Sequence, residues 1–196
     1  PQFLFPTGCS LTKHGSFSSF ILFILHGLAK QYLEGDGIKN FNLHIIRPGE
    51  FVGLSAVFSE NTFNYSTIAM TDCQVYLIEK DAIEKVVKQN GLFAFSIIKR
   101  YCEQNTTLMN IVRNLMYKQM NGRLADTLLY IDGLKTEKAE IFQLLSRKDI
   151  ADFAGISTES AVKLLKSFEK DGLINLHEKD IRIVNHDALI EISKRG

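Results

Sequence analysis

Net charge is what this sequence has least of. Its 196 residues carry 23 Lys and Arg against 22 Asp and Glu, a formal charge of +1, so no chain-wide basic field attracts nucleic acid or an anionic membrane. A partner of either kind has to be met by a local patch. Long apolar runs are missing as well. The most hydrophobic stretch, 17–29, is broken by Ser18, Ser19, His26 and Gly27 and falls short of the roughly 18 to 20 residues of a membrane span. It reads as buried strand, and no membrane partner is expected. Cysteine is sparse: Cys9, Cys73 and Cys102 are odd in number and far apart, with no CxxC or Cys/His metal spacing. That suits a reducing cytoplasm and assigns no metal. The chain opens on Pro1 without an initiator Met or a basic-then-apolar leader; a preceding segment able to carry ligand residues is expected, and a secretory signal is not. No GxSxG, P-loop or dinucleotide fingerprint occurs, so no enzyme is expected.

What is present suits a folded chain of two small domains. Hydrophobic residues make up 45% and charged ones 23%, which is ordinary for a protein with a buried core. The first half is all-β in pattern, with runs at 20–25, 30–33, 42–46, 66–69 and 74–78 separated by Gly15, Gly27, a hairpin turn over 34–38, and Pro48 with Gly49. After Glu79 the apolar period lengthens to about 3.6, predicting a short helix over 80–88 that stops at Asn90 and Gly91.

A long helix follows over 92–119, free of Pro and Gly. Phe95, Ile98, Cys102, Asn105, Met109, Val112 and Met116 recur at alternating steps of three and four, the spacing of a heptad seam. At 1.5 Å per residue it runs roughly 40 Å, more than a compact β-domain needs for its own closure. A homodimer seam is expected. Leu108, Ile111 and Leu115 supply a second apolar face, which leaves open a helix packed wholly on its own domain. Another helix is predicted over 123–131, a stop at Asp132 and Gly133, and a short strand over 140–144.

The most specific signal is the twenty-residue unit 147–166. Ile150, Ala151, Ala154, Gly155, Ile156, Ala161 and Leu164 supply the small, wedge-filling and positive-φ residues that two steeply crossing helices need. Ser157 is placed to cap the second helix, which runs to about 170 and ends at Asp171 and Gly172. With Leu164, Leu165 and Phe168 turned inward, its outer side holds Thr158, Glu159, Val162, Lys163 and Lys166. Glu can accept from cytosine N4 and Lys can donate to guanine O6 and N7. Arg147, Lys148 and Lys166 suit phosphates. Strands over 173–176 and 181–184 flank a turn at 177–180, making a wing whose His177 reaches backbone. The unit could instead be a protein-docking module, since acidic and basic residues after Gly122 are about equal in number and predict modest nonspecific DNA affinity.

Three motifs in this order resemble the family of the cyclic-AMP receptor protein and the fumarate and nitrate reduction regulator: Arg-Pro-Gly-Glu-Phe-Val-Gly at 47–53, Asn-Gly-Arg-Leu-Ala-Asp-Thr-Leu-Leu at 121–129, and Leu-Ser-Arg-Lys-Asp-Ile-Ala at 145–151 with Gly-Ile-Ser-Thr-Glu at 155–159. The resemblance implies an α+β chain: an antiparallel β-roll of the cyclic-nucleotide-binding, double-stranded β-helix type over 1–90, a dimerisation helix over 91–120, and a winged helix-turn-helix over 121–196. It implies a homodimeric bacterial transcription regulator that binds a palindromic double-stranded DNA operator and RNA polymerase and is controlled by a small effector or a redox or gas signal. Base reading falls on Thr158, Glu159 and Lys163, where Lys163 replaces the family's Arg and so lacks its planar fork. Phosphate contacts fall on Arg147, Lys148, Ser157, Ser160, Lys166 and His177, and the hinge on Gln119, Met120, Asn121 and Gly122.

The effector pocket would be lined by Phe51, Gly53, Leu54, Ser55, Tyr65 and Ser66. Here Leu54 stands where cyclic-nucleotide binders carry Glu, and 61–66 reads Asn-Thr-Phe-Asn-Tyr-Ser, with no cation for a phosphate. Cyclic AMP is not the expected effector. The iron–sulfur branch needs four cysteines and three are present. Haem needs only one or two axial ligands, so the histidines or Cys73 leave a haem sensor open. A cupin-like metalloenzyme with an accessory helical domain is the other alternative, although His14, His26 and His44 form no HxH pair.

Overall fold

The computed structural model describes residues 1–36, 39–58, 62–134 and 140–196. Gly37 and Ile38 of the expected hairpin turn, and Asn61 of the expected effector segment, lie outside them. The chain divides into two compact units, Pro1–Leu108 and Met109–Gly196.

The first unit is built from two four-stranded antiparallel sheets. One has the order β1 (Gln2–Phe5), β8 (Cys73–Glu79), β3 (Phe20–His26), β6 (Phe51–Val52); the other β2 (Ser10–Thr12), β7 (Ser66–Ala69), β4 (Ala29–Glu34), β5 (Asn40–Ile46). The five expected runs all appear, each extended by a residue or two or matched outright. β1, β2 and β6 are too short to show an alternation of their own, and partners position them: Phe5 lies opposite Cys73 and Val52 opposite Leu22. Leu22, Ile24, Val52, Cys73 and Val75 of one sheet meet Leu11, Ala29, Ile46 and Ala69 of the other in a common core. At roughly 1.5–3 kcal/mol for each fully buried large apolar side chain, that contact is what closes the roll.

Helix α1 (Lys80–Gln89) buries Ile83. Asn90 then serves two helices, ending α1 and accepting the Phe93 N–H on its Oδ1 at 3.0 Å to start α2 (Gly91–Tyr117). Of the 27 residues of α2, Ile97 is the buried one. Phe95, Ile98, Met109, Val112 and Met116 are between 49% and 69% exposed, and Cys102 and Asn105 are exposed with them. A continuous apolar stripe therefore lies bare on this chain.

In the second unit α3 begins at Met120, not at 123, and runs to Asp132. The break after α2 is confined to Lys118 and Gln119, while the expected hinge residues Met120, Asn121 and Gly122 form the first turn of α3. Two contacts hold that turn. Lys118 Nζ donates to Asp126 Oδ2 at 2.6 Å, and Gly122 abuts the Gly196 backbone, where a Cβ would meet Gly196 Cα at 2.7 Å. The strand expected over 140–144 is a 3-10 turn, Ile141–Leu144. Its consecutive Ile141 and Phe142 are both buried, which a strand with one covered face cannot do. Leu124, Leu128, Ile131, Phe142, Leu145, Ile150, Leu165, Ile174 and Leu189 are all at most 2% exposed and form the core. Leu189 comes from α6 (His186–Arg195), a helix absent from the expectations; Asn185 caps it through the Ala188 N–H, with Asp187 in its first turn and Lys194 and Arg195 in its last. Among the described residues no helix is long and apolar enough to cross a membrane.

Candidate nucleic-acid interface

Local capping explains why the recognition unit folds as it does. Ser146 Oγ accepts the Asp149 N–H at 3.0 Å and Asp149 Oδ2 accepts the Ser146 N–H at 2.8 Å, a reciprocal box that starts α4 (Arg147–Ala154). Four residues suffice for the signal, yet it lay outside the sequence expectations. Gly155 then takes φ +62°, and the Ile156 N–H returns to the Ala151 carbonyl at 3.1 Å. Arg123 from α3 ties the same turn by donating to the Gly155 carbonyl at 3.3 Å. Ser157 caps α5 (Thr158–Lys170) by accepting the Ser160 N–H at 3.1 Å, as expected of it.

Ala161, Leu165 and Phe168 are the buried stripe of α5. Leu164 is only half-buried, and lines a cavity of about 520 Å³ with Gln119, Met120, Asn121 and Arg123. Val162 is half-buried too, so it does not belong to the outer face where the sequence put it. Helix α3 packs against α5 as well as α4, so a third helix shapes the covered side of α5. Thr158, Glu159, Lys163 and Lys166 are exposed. Glu159 Oε1 and Lys163 Nζ, 78% and 75% exposed, pair with each other at 2.8 Å. At that exposure the pair adds only about 0.3–0.5 kcal/mol to the helix and opens at little cost.

The expected phosphate contacts differ in how far they are engaged. Lys148 Nζ pairs with Asp152 Oδ2 at 2.6 Å, and the Ser157 and Ser160 hydroxyls bond each other at 2.9 Å. His177, at the end of β9 (Ile174–His177), is exposed and stands opposite Asp180 of β10 (Asp180–Ile183). Arg147 is not free: its Nη2 donates to the Glu178 carbonyl in the wing turn at 2.8 Å. Burial lowers its pKa, with Asp180 opposing, and the group stays a cation. Thirty-one positions separate Arg147 from Glu178, so no local pattern announces this strut.

In the β-roll, Gly53 ends β6 in the left-handed region at φ +81°, and its N–H donates to the Tyr65 hydroxyl at 2.9 Å. A side chain at Gly53 would strike the Phe63 ring. Leu54 and Ser55 start a 3-10 turn, Phe51 stacks at 4.8 Å on Phe23, and the buried Ser66 Oγ donates to Glu34. Glu50, at the same turn, lies 3.8 Å from His44, 4.0 Å from Arg47 and 3.5 Å from Arg100 of α2. Burial alone would raise its pKa; the His44 hydrogen bond and charge, then Arg100 and the Arg47 backbone, hold it below the ordinary value.

Cys73 is fully buried in the core, and burial pushes its thiol up to about 11, so it rests as a neutral thiol near pH 7. Among the described residues no three His, Cys, Asp or Glu side chains gather to hold a metal ion.

A capped helix-turn-helix with an exposed Thr, Glu and Lys edge and a strutted wing, following a β-roll and a long helix, defines a winged-helix DNA-binding regulator with a sensor-type domain. Residues 2–90 match the cyclic nucleotide-binding domain family and residues 122–192 the Crp-like helix-turn-helix domain family. The chain is similar to the anaerobic regulatory protein of Bacillus subtilis, 26% identical over 79% of this chain and 66% of that protein, thus just under two thirds of its length. It is also similar to the cAMP-activated global transcriptional regulator CRP of Salmonella typhimurium, 22% identical over 90% of this chain and 86% of that one. The solved structure of FixK2 from Bradyrhizobium japonicum shares the fold, with a TM-score of 0.85 at 19% identity over 98% of this chain and 96% of that one. The chain belongs to the CRP/FNR family of DNA-binding transcription regulators.

Proposed function

We propose that the chain works as a homodimer that reads a palindromic DNA site through its two α5 helices, with the β-roll setting whether the two reading heads are correctly spaced. The bare stripe on α2 carries this reading. Phe95, Ile98, Met109, Val112 and Met116 at 49% to 69% exposure form a long apolar seam left largely open among the described residues, and a second copy covers it by the same residues across a two-fold axis. Recognition helices held about 34 Å apart would enter successive major grooves on one face of the duplex. Thr158, Glu159 and Lys163 read base edges, while Lys166, Lys148, His177 and the Ser157 and Ser160 hydroxyls meet phosphates. Arg147 acts through the wing turn it holds. Contact with RNA polymerase and a cytoplasmic location accompany this role; the unpaired Cys9, Cys73 and Cys102 suit a reducing compartment.

Selection of bound sequences from a random DNA pool by the purified chain tests the proposal, with its visible absorption spectrum recorded in parallel. The expected result is enrichment of an inverted repeat and a colourless protein. Enrichment of a lone half-site would overturn the dimer, and a stoichiometric haem or iron–sulfur spectrum would overturn this account of the roll.

A further inference from the structure

The turn at Glu50 to Gly53 has its Gly53 N–H and its Glu50 carboxylate both engaged by other side chains. β6 is two residues long, Phe51 and Val52 lying opposite Phe23 and Leu22 after Gly49 and Glu50 have bonded Ile24 through their backbone, so the Gly53 N–H falls just beyond the ladder and needs an acceptor of its own. Tyr65 provides one from β7's leading edge, its ring packed against the apolar core of the roll and its hydroxyl 2.9 Å from Gly53 N. Burial raises the phenol's pKa, so it stays neutral and keeps a proton to donate. The neighbouring Ser66 is spent likewise, donating to Glu34 at 2.5 Å and accepting the His14 N–H at 3.0 Å.

The same turn is fastened to the long helix at its other end. Glu50 Oε2 lies 3.5 Å from Arg100 Nη2. A side chain of α2 thus bears on one end of the turn whose other end Tyr65 holds.

We infer that the β-roll carries its own occupant: the Tyr65 side chain fills the place of an external effector, satisfies Gly53, and holds the Glu50 to Gly53 turn against α2, so that DNA binding needs no external ligand. The inference rests on the reading of the chain as a regulator whose roll controls its reading heads. The protein would bind its operator without a cyclic nucleotide, and Tyr65, a positioning residue, would be the point at which that state is set.

The test uses the full chain and the operator obtained by selection, with affinity read by fluorescence anisotropy for the natural protein, Tyr65→Phe and Tyr65→Ala. Millimolar cyclic AMP or cyclic GMP should leave the natural protein's affinity unchanged. Tyr65→Phe, which keeps the ring and orphans the Gly53 N–H, should bind about tenfold more weakly, the scale of one unsatisfied buried donor. Tyr65→Ala should be weaker still and recover when p-cresol is added, because that molecule restores both ring and hydroxyl; a merely structural loss would not respond. Tighter operator binding by the natural protein on adding either nucleotide overturns the inference. So does natural affinity in Tyr65→Phe, or a Tyr65→Ala protein folded by circular dichroism that p-cresol leaves weak. Should Tyr65→Ala not fold, Tyr65→Phe decides. Failure of the natural protein to bind any DNA would instead defeat the regulator reading itself.

Discussion

Along α5 the outward side chains, Thr158, Glu159 and Lys163, are the ones a base reader needs, and their partners are each other or solvent. In the roll, the turn over 47–53 keeps a glycine at φ +81° while its donor is taken by Tyr65 and its carboxylate by Arg100. One region keeps shape and open chemistry; the other keeps shape and closes its chemistry upon itself. A backbone framework can therefore outlast the ligand logic it resembles, because the framework is held by buried apolar residues and the ligand logic by a few polar ones.

The largest effect expected is on the apolar stripe of α2, the proposed dimer seam. Ile98→Glu with Met109→Glu should leave a monomer by analytical ultracentrifugation and lower operator affinity by about 100-fold or more, since two linked heads bind far more tightly than one. Phe142→Ala comes next. The side chain is fully buried, and its loss should cost about 3–5 kcal/mol in urea unfolding, confined to the transition of the Met109–Gly196 unit. Glu159→Ala and Lys163→Ala, made singly, should each remove about 1–3 kcal/mol of preference for operator over scrambled DNA and leave scrambled DNA binding almost unchanged. The smallest effect is in the roll. Glu50 is held below its ordinary pKa of 4.5 in the folded chain, so its stabilisation is complete above that value and is lost as pH falls through the lower folded one. Glu50→Gln should flatten acid unfolding below pH 4.5 by less than about 1 kcal/mol, measured by urea titrations at stepped pH.

Legibility in the sequence followed the range of the interaction. β3, β5, β7 and β8, the apolar stripe of α2, and the Gly155 turn with its Ser157 cap show in local periodicity or in single residues with backbone meaning. The strand expected over 140–144 failed because five alternating residues do not distinguish a strand from a 3-10 turn that buries Ile141 and Phe142 side by side. Helix α6 passed unseen although Asn185, Asp187, Lys194 and Arg195 carried its end signals; its apolar residues sit too close to the wing strand to stand out. At the site, the exposed edge of Thr158, Glu159 and Lys163 was visible, because exposure along one helix follows from spacing. The strut from Arg147 to Glu178 and the bond from Gly53 to Tyr65 were not, since each joins residues that only the folded chain brings together.

The pair between Glu159 and Lys163 has a kinetic consequence. With opposite charges 2.8 Å apart, the proposed reading edge is close to neutral at a distance and adds little long-range steering toward DNA. Encounter should consequently be ordinary in speed and little guided by sequence. In the proposed complex each partner would exchange one weak ion pair for a base edge, a trade available only where the bases match. Discrimination between operators is then exercised in dwell time, after arrival.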